Sequence, residues 1–252
     1  MNTNVPFPPA LLEGGAFLVV ALSIVVVAEH SRVFALAARE AVISTRAKRQ
    51  APALLMLGLA FWAGWAITLV TQPVSPVDHP GNPLLLLKMV PMMLASLVIM
   101  LSSKTVKAIN AVSPPATLIR IQSYRMAGLM FLWPYLHYHF LPAGFAWPAG
   151  VGDALTGLAA PFVASALERG RPGSRGLALA WNYFGILDLI VAPTAAMLTH
   201  TTNIGLYPLV VIPLFVGPPM GILTHIYSLR NLAATGRQAI SDQMIGARAT
   251  TA

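Results

Sequence analysis

A chain of 252 residues that is 56% hydrophobic and only 10% charged, with a mean hydropathy of +0.70, has too few polar side chains to coat a water-soluble globule. Its net charge of +8 sits on basic residues scattered over separate loops, without interleaved aromatics or a nucleic-acid motif, which argues against a nucleic-acid partner. The lack of cysteine excludes disulfides, thiolate zinc sites, iron–sulfur clusters and cysteine nucleophiles.

A helix needs about 20 mostly apolar residues to cross a bilayer core. Apolar runs bounded by charge or by Pro and Gly predict an all-α, polytopic transmembrane helix bundle of about seven spans. They lie near 10–28, 51–71, 84–102, 122–141, 150–167, 177–199 and 205–229, in a single transmembrane domain over 1–230, with a cytoplasmic tail over 231–252. No internal repeat divides the runs into equivalent halves.

The first run has no Lys or Arg before it and a basic segment after it, so that span is expected to be retained and Ala35-Leu36-Ala37, which follows it, is not read as a signal-peptide cleavage site. The second, APALLMLGLAFWAGWAITLV, carries no charge at all. Near the outer end of the third lies Lys88, in LLLLKMVP, and near the inner end of the fourth lies Arg125, which can snorkel to phosphates. The fourth also ends in an H-x-H pair, His137 and His139. Residues two apart on a helix point about 200° from one another, so the pair suits interfacial anchoring, and no metal site is expected.

The fifth run opens with GVGD, where Asp153 reads first as a helix N-cap and second as the wall of an outward-facing polar cavity shared with Thr156 and Lys88. The sixth carries Asp188 midway, beyond reach of either helix end. Trp181 shares its stripe, and Phe184 and Gly185 lie a turn closer, so Asp188 is expected above an aromatic shelf facing the bundle. An ionisable group in mid-membrane costs about 2.5–3.5 kcal/mol on insertion scales, so Asp188 requires a partner from another helix, with Lys88 the obvious candidate.

The seventh run contains IPLFVGPPMG, which predicts a strong bend, and a close-packing GxxxG at Gly217 to Gly221. Arg125, Asn182 and His225 are expected at comparable depth, with Glu29 and His30 at the inner end of the first span, as a cytoplasmic polar layer. Kinks are expected at Pro91, Pro134, Pro161, Pro193, Pro213, Pro218 and Pro219. A retinal Schiff base is rejected because the last run holds no Lys, and no phosphate-binding loop, zinc-protease or serine-hydrolase motif occurs. No cofactor is signalled.

From the third run onward, IQSYR, GDALTGLAAP, WNYFGILDL and IPLFVGPPMGILTHIYSLRNL resemble a family of uncharacterised bacterial integral membrane proteins of similar length. The resemblance implies a multi-pass protein of the bacterial inner membrane with Arg125, Asp153, Asn182, Asp188 and His225 on matching motif positions. It brings no activity with it. This chain departs from the pattern at Leu129, where an acidic residue would stand four after the arginine, and Lys88 is not part of the pattern, so neither an Arg125 ion pair nor a family role for Lys88 follows from it.

Three functions fit these features. The first is a small solute or ion carrier in which Asp188 titrates or binds a cation, in a bundle whose partners are the lipid bilayer and a small-molecule or ion ligand. The second is an intramembrane enzyme acting on a lipid, quinone or isoprenoid, with Asp153, Asp188 and His225 as acid–base groups. The third is a non-catalytic subunit of a larger membrane complex.

Orientation follows from the basic residues, which stay on the cytoplasmic side of short loops. Of the 16 Lys and Arg, all but Lys88 and Arg125 fall in the first, third and fifth connections and the tail, which places the N-terminus outside and the C-terminus inside. A reporter active only outside the cytoplasm should therefore work when fused after Pro80 and fail after Ala111 or Gly173. Activity at either of the latter positions overturns this topology.

Overall fold

Apolar side chains give no help in satisfying backbone polar groups, so long apolar runs close their own hydrogen bonds as helices. The computed structural model describes residues 9–71, 94–95, 97–139, 141–199 and 221–237, and every regular element among them is helical. Helix α1 spans Pro9–Arg39 and α2 spans Thr45–Thr71. After a helical stretch at 97–102 come α3 (Lys104–Val112), α4 (Pro115–Ile121), a 3-10 segment (Gln122–Gly128) and α5 (Leu129–Tyr138). Then follow α6 (Ala143–Glu168), α7 (Ser174–Leu198) and α8 (221–237).

Two helices among the described residues, α6 and α7, are long and apolar enough to cross a membrane. Only 44% and 39% of their most apolar stretches are buried against protein. A core helix of a soluble protein has the opposite distribution. Large apolar residues such as Phe162, Leu187 and Met197 point outward, as do Phe17, Leu57 and Phe61 on α1 and α2. Lys88, Pro91, Pro213, Gly217, Pro218 and Pro219 lie outside the described residues, with most of the expected third and seventh spans.

Several expected boundaries move. Helix α1 continues past residue 28 to Arg39, so Glu29 and His30 are helical; Glu29 pairs with Arg32 at 2.8 Å, and His30 Nδ1 meets the Val26 carbonyl at 2.8 Å. The expected fourth span is not a single α-helix. Its first part is the 3-10 segment, and it ends where His139 adopts φ 52, so His137 lies in the last turn of α5 and His139 just beyond it. Helix α6 starts at Ala143 rather than near 150, which puts Asp153 well inside it and overturns the N-cap reading. The glycines around Asp153 resemble a loop in sequence, but here they serve close packing. Prolines 134, 148, 161 and 193 are accommodated inside α5, α6 and α7.

Helix α6 is the centre of the bundle, packing most extensively on α7 and on the 3-10 segment, then on α4 and α5. The core is built from small residues: Ala116 of α4, Ala160 and Ala164 of α6 and Ala178 of α7 surround Ile119, Val163, Trp181 and Leu232. Small side chains let backbones approach, the means by which helices associate where burial from water supplies no drive. The α6–α7 connection is a tight turn in which Gly170 and Gly173 take positive φ. Nearby, Arg120 of α4 pairs with Glu168 at 2.5 Å.

Among the described glycines, the closest approach to another segment's backbone is at Gly157, where a Cβ would collide with the backbone of Arg125 and Met126. A 3-10 helix is narrower and rises faster than an α-helix, about 2.0 against 1.5 Å per residue, which suits this tight passage. Gly157→Ala should lower the thermal midpoint of the purified protein, reflecting the roughly 1–3 kcal/mol typical of overpacking. Gly58→Ala, where a Cβ meets nothing within 4 Å, should not lower it. Equal midpoints for the two variants would show that the contact at Gly157 is not close enough to matter.

Candidate functional site

The 3-10 segment brings Arg125 over the seam between α6 and α7, and each nitrogen of its guanidinium finds an acceptor. Nε donates to Asp153 Oδ1 of α6 at 2.6 Å, and Nη2 donates to Asp188 Oδ2 of α7 in a short ion pair. Nη1 donates to the Gly185 carbonyl at 3.1 Å and to Nε2 of His225, in α8, also at 3.1 Å. Arg125 is only 2% exposed. A guanidinium so placed is held by its fork of donors, whose planar geometry fits two carboxylates at once.

A second tier of bonds fixes the histidine. Because Arg125 Nη1 can only donate, His225 Nε2 must accept, so the network assigns the neutral tautomer with its proton on Nδ1. That proton is donated to Asn182 Oδ1 at 3.0 Å, and Asn182 Nδ2 donates to the Ala178 carbonyl at 2.7 Å and to Ser228 Oγ at 3.1 Å. The Trp181 ring lies against His225 with centroids 4.9 Å apart, and its indole N–H donates to the Thr156 carbonyl at 3.1 Å.

Two glycines clear the space this cluster occupies. A Cβ on Gly152 would collide with the Asp188 carboxylate, and a Cβ on Gly185 with the His225 ring. The spacing is helical. Gly152 and Thr156 are one turn apart on α6, Asn182, Gly185 and Asp188 lie at successive i, i+3 positions on α7, and His225 and Ser228 stand in the same relation on α8.

Of the residues singled out by sequence, Arg125, Asp153, Asp188, Asn182 and His225 thus meet in one cluster, with Trp181 and Thr156 as its wall. Several expectations need correction. Arg125 does not snorkel to the surface, because two carboxylates offer it closer partners inside. It pairs with acidic groups despite Leu129, since these come from α6 and α7 rather than from the next turn of its own helix. Among the described residues Asp188 pairs with Arg125; Lys88, the candidate partner offered by the sequence, lies outside them. The polar layer expected on the inner side and the carboxylates assigned elsewhere form one unit. Thr156 is fully buried, with its hydroxyl donating to the Gly152 carbonyl at 2.8 Å, so it does not line an open cavity. The aromatic shelf is half present: Trp181 is buried, whereas Phe184 points outward.

Sequence reasoning missed Ser228 and Gly152. The serine three residues after His225 was the available signal for the first. Also missed was Gln122, fully buried, whose Nε2 donates to the Gly221 carbonyl at 3.0 Å.

Beside the cluster, a groove of about 460 Å³ runs between α6 and α7. Trp147, Val151 and Leu155 form one wall and Phe184, Leu187 and Val191 the other, with Gly152 and Asp188 in the floor. Among the described residues, no group of three or more His, Asp or Glu is arranged to hold a metal ion.

The chain belongs to a family described as a domain of unknown function (DUF8737), which matches residues 81–233 and so contains the entire cluster. No curated protein and no solved structure matches it.

Removing one partner of a buried ion pair costs about 3–5 kcal/mol, whereas replacing the whole set by neutral groups is often close to neutral. Arg125→Ala should therefore strongly depress the thermal midpoint by leaving two carboxylates unmatched. Combining Arg125→Met with Asp153→Asn and Asp188→Asn should recover most of the loss. An Arg125→Ala protein as stable as wild type would show that the cluster does not hold these helices together.

Proposed function

We propose that the protein is a multi-pass membrane carrier of about seven spans, N-terminus outside, that binds a proton or a cation at the Arg125–Asp153–Asp188 centre. The membrane reading draws on the apolar composition, the alternation of basic loops and the outward apolar faces of α6 and α7. The observation that carries the function is charge balance: among the described residues two carboxylates share one guanidinium, and His225, whose ring is also bonded to it, is neutral. With every acid ionised, the described residues of the centre carry one unmatched negative charge. An uncompensated charge away from water costs several kcal/mol, so the centre is completed by a proton or a cation, and exchange between them is the chemistry it can perform.

An intramembrane enzyme using Asp153, Asp188 and His225 as acid–base groups is the second reading, favoured by the apolar groove that reaches Asp188. Against it, both ring nitrogens of His225 are engaged, by Arg125 and by Asn182, which leaves the imidazole no free edge for a substrate.

Asp188→Asn keeps the shape and most of the bonding capacity, and leaves Arg125 paired one-to-one with Asp153. It should express and fold near the wild-type level and lose pH-dependent binding or transport. In wild-type protein in lipid nanodiscs, the infrared band of a protonated carboxyl should titrate with pH, and it should disappear in Asp188→Asn. A spectrum that stays unchanged by pH, or a titrating band that persists in the variant, removes Asp188 from the exchange.

A further inference from the structure

The groove beside the cluster narrows the class of ligand. It has the volume of an ordinary small-molecule site, within the range of roughly 300–1,000 Å³. Its walls are apolar and include two aromatic rings, Trp147 and Phe184, and its floor includes the carboxylate-bearing Asp188. A site so built has one electrostatic demand and a large apolar one.

We propose that this groove binds a lipophilic organic monocation, with its charge against Asp188 and its apolar body between α6 and α7. This rests on the proton- or cation-binding reading and names the cation. Among the described residues, the groups around Asp188 are Arg125 from the 3-10 segment, Asp153 from α6 and, through Arg125, His225 from α8, with Tyr124 beside Arg125 and Asp153. Among them only Arg125 is cationic, and its donors are already distributed, so a further positive charge is what the centre accepts.

An inorganic cation fits poorly. Hard ions are held by about six or more oxygen ligands, and apolar walls cannot replace a hydration shell. An organic cation with delocalised or shielded charge loses little hydration, and aromatic rings such as Trp147 and Phe184, which line the groove, are the side chains that attract it. An anion would meet the carboxylate, and a neutral lipid would leave the centre unbalanced.

The exchange conserves charge. In the resting centre a proton occupies the carboxylate pair; the arriving cation takes up that negative charge, and the proton leaves to water. No covalent bond between heavy atoms forms or breaks.

The test uses the full chain in lipid nanodiscs with radiolabelled tetraphenylphosphonium as the probe. Saturable binding is expected, weakening as pH falls, with one proton released per cation bound in weakly buffered solution. Asp188→Asn should weaken it at least about tenfold, the loss of one strong contact. Leu187→Trp, which fills the groove without altering any charged group, should weaken it comparably while the thermal midpoint and the titrating carboxyl band are retained. Neutral triphenylphosphine oxide should not compete. Binding that is equal in Asp188→Asn, insensitive to Leu187→Trp, or displaced equally by the neutral compound overturns the assignment. If tetraphenylphosphonium fails to bind while the carboxyl band still titrates, the groove assignment falls and the proton-binding centre stands; if the band is also absent, both fall.

Discussion

Everything about this bundle turns on one guanidinium shared by two carboxylates. Arg125 cannot shed its charge, so once away from the surface it needs an acceptor for each nitrogen. Those acceptors come from three directions: Asp153 from α6, Asp188 and the Gly185 carbonyl from α7, and His225 from α8. The four segments therefore have one compatible mutual arrangement, and a shift of any of them breaks a charged bond. Apolar packing alone is permissive about register. A buried ionic cluster is costly in energy but selective in geometry.

That arrangement requires backbones to come unusually close. Glycine supplies the room where a charged group or a helix must pass, at Gly152 for the Asp188 carboxylate, at Gly185 for the His225 ring and at Gly157 for the 3-10 backbone. Alanine supplies it in the neighbouring core around Trp181. The two features are mutually dependent: larger side chains would hold α6, α7 and the 3-10 segment too far apart for a guanidinium to bridge, and without the bridge a seam of small residues would have little specificity.

The second tier of bonds gives the centre its sense of charge. Asn182 accepts from His225 Nδ1 and is itself oriented by Ala178 and Ser228, so the imidazole is held as an acceptor toward Arg125 rather than as a second cation. A protonated His225 would place two like charges edge to edge. Keeping that ring neutral leaves two carboxylates facing one guanidinium, and Asp188 also stands among the residues that line the groove between α6 and α7. Trp181 closes the opposite side, packed on His225 and tied to Thr156 of α6.

Sequence by itself determined the helical class, the apolar exterior and the demand for an interhelical partner at Asp188, because each follows from local composition and from the cost of a charge in an apolar run. It also put Arg125, Asn182 and His225 at comparable depth, from their positions within their runs. The N-terminal limit of α6 was not legible: Gly150, Gly152 and Asp153 look like a helix start, and only the facing helices show that they are small for the sake of contact. Arg125 was misread for a related reason. Hydropathy and charge counting measure depth along a chain, and at that depth a long cationic side chain can reach headgroups or turn inward. Which it does depends on where α6 and α7 hold their carboxylates, on the faster rise of a 3-10 turn and on the absence of Cβ atoms in its path. Those are relations between segments distant in sequence, and only the tertiary structure decided them.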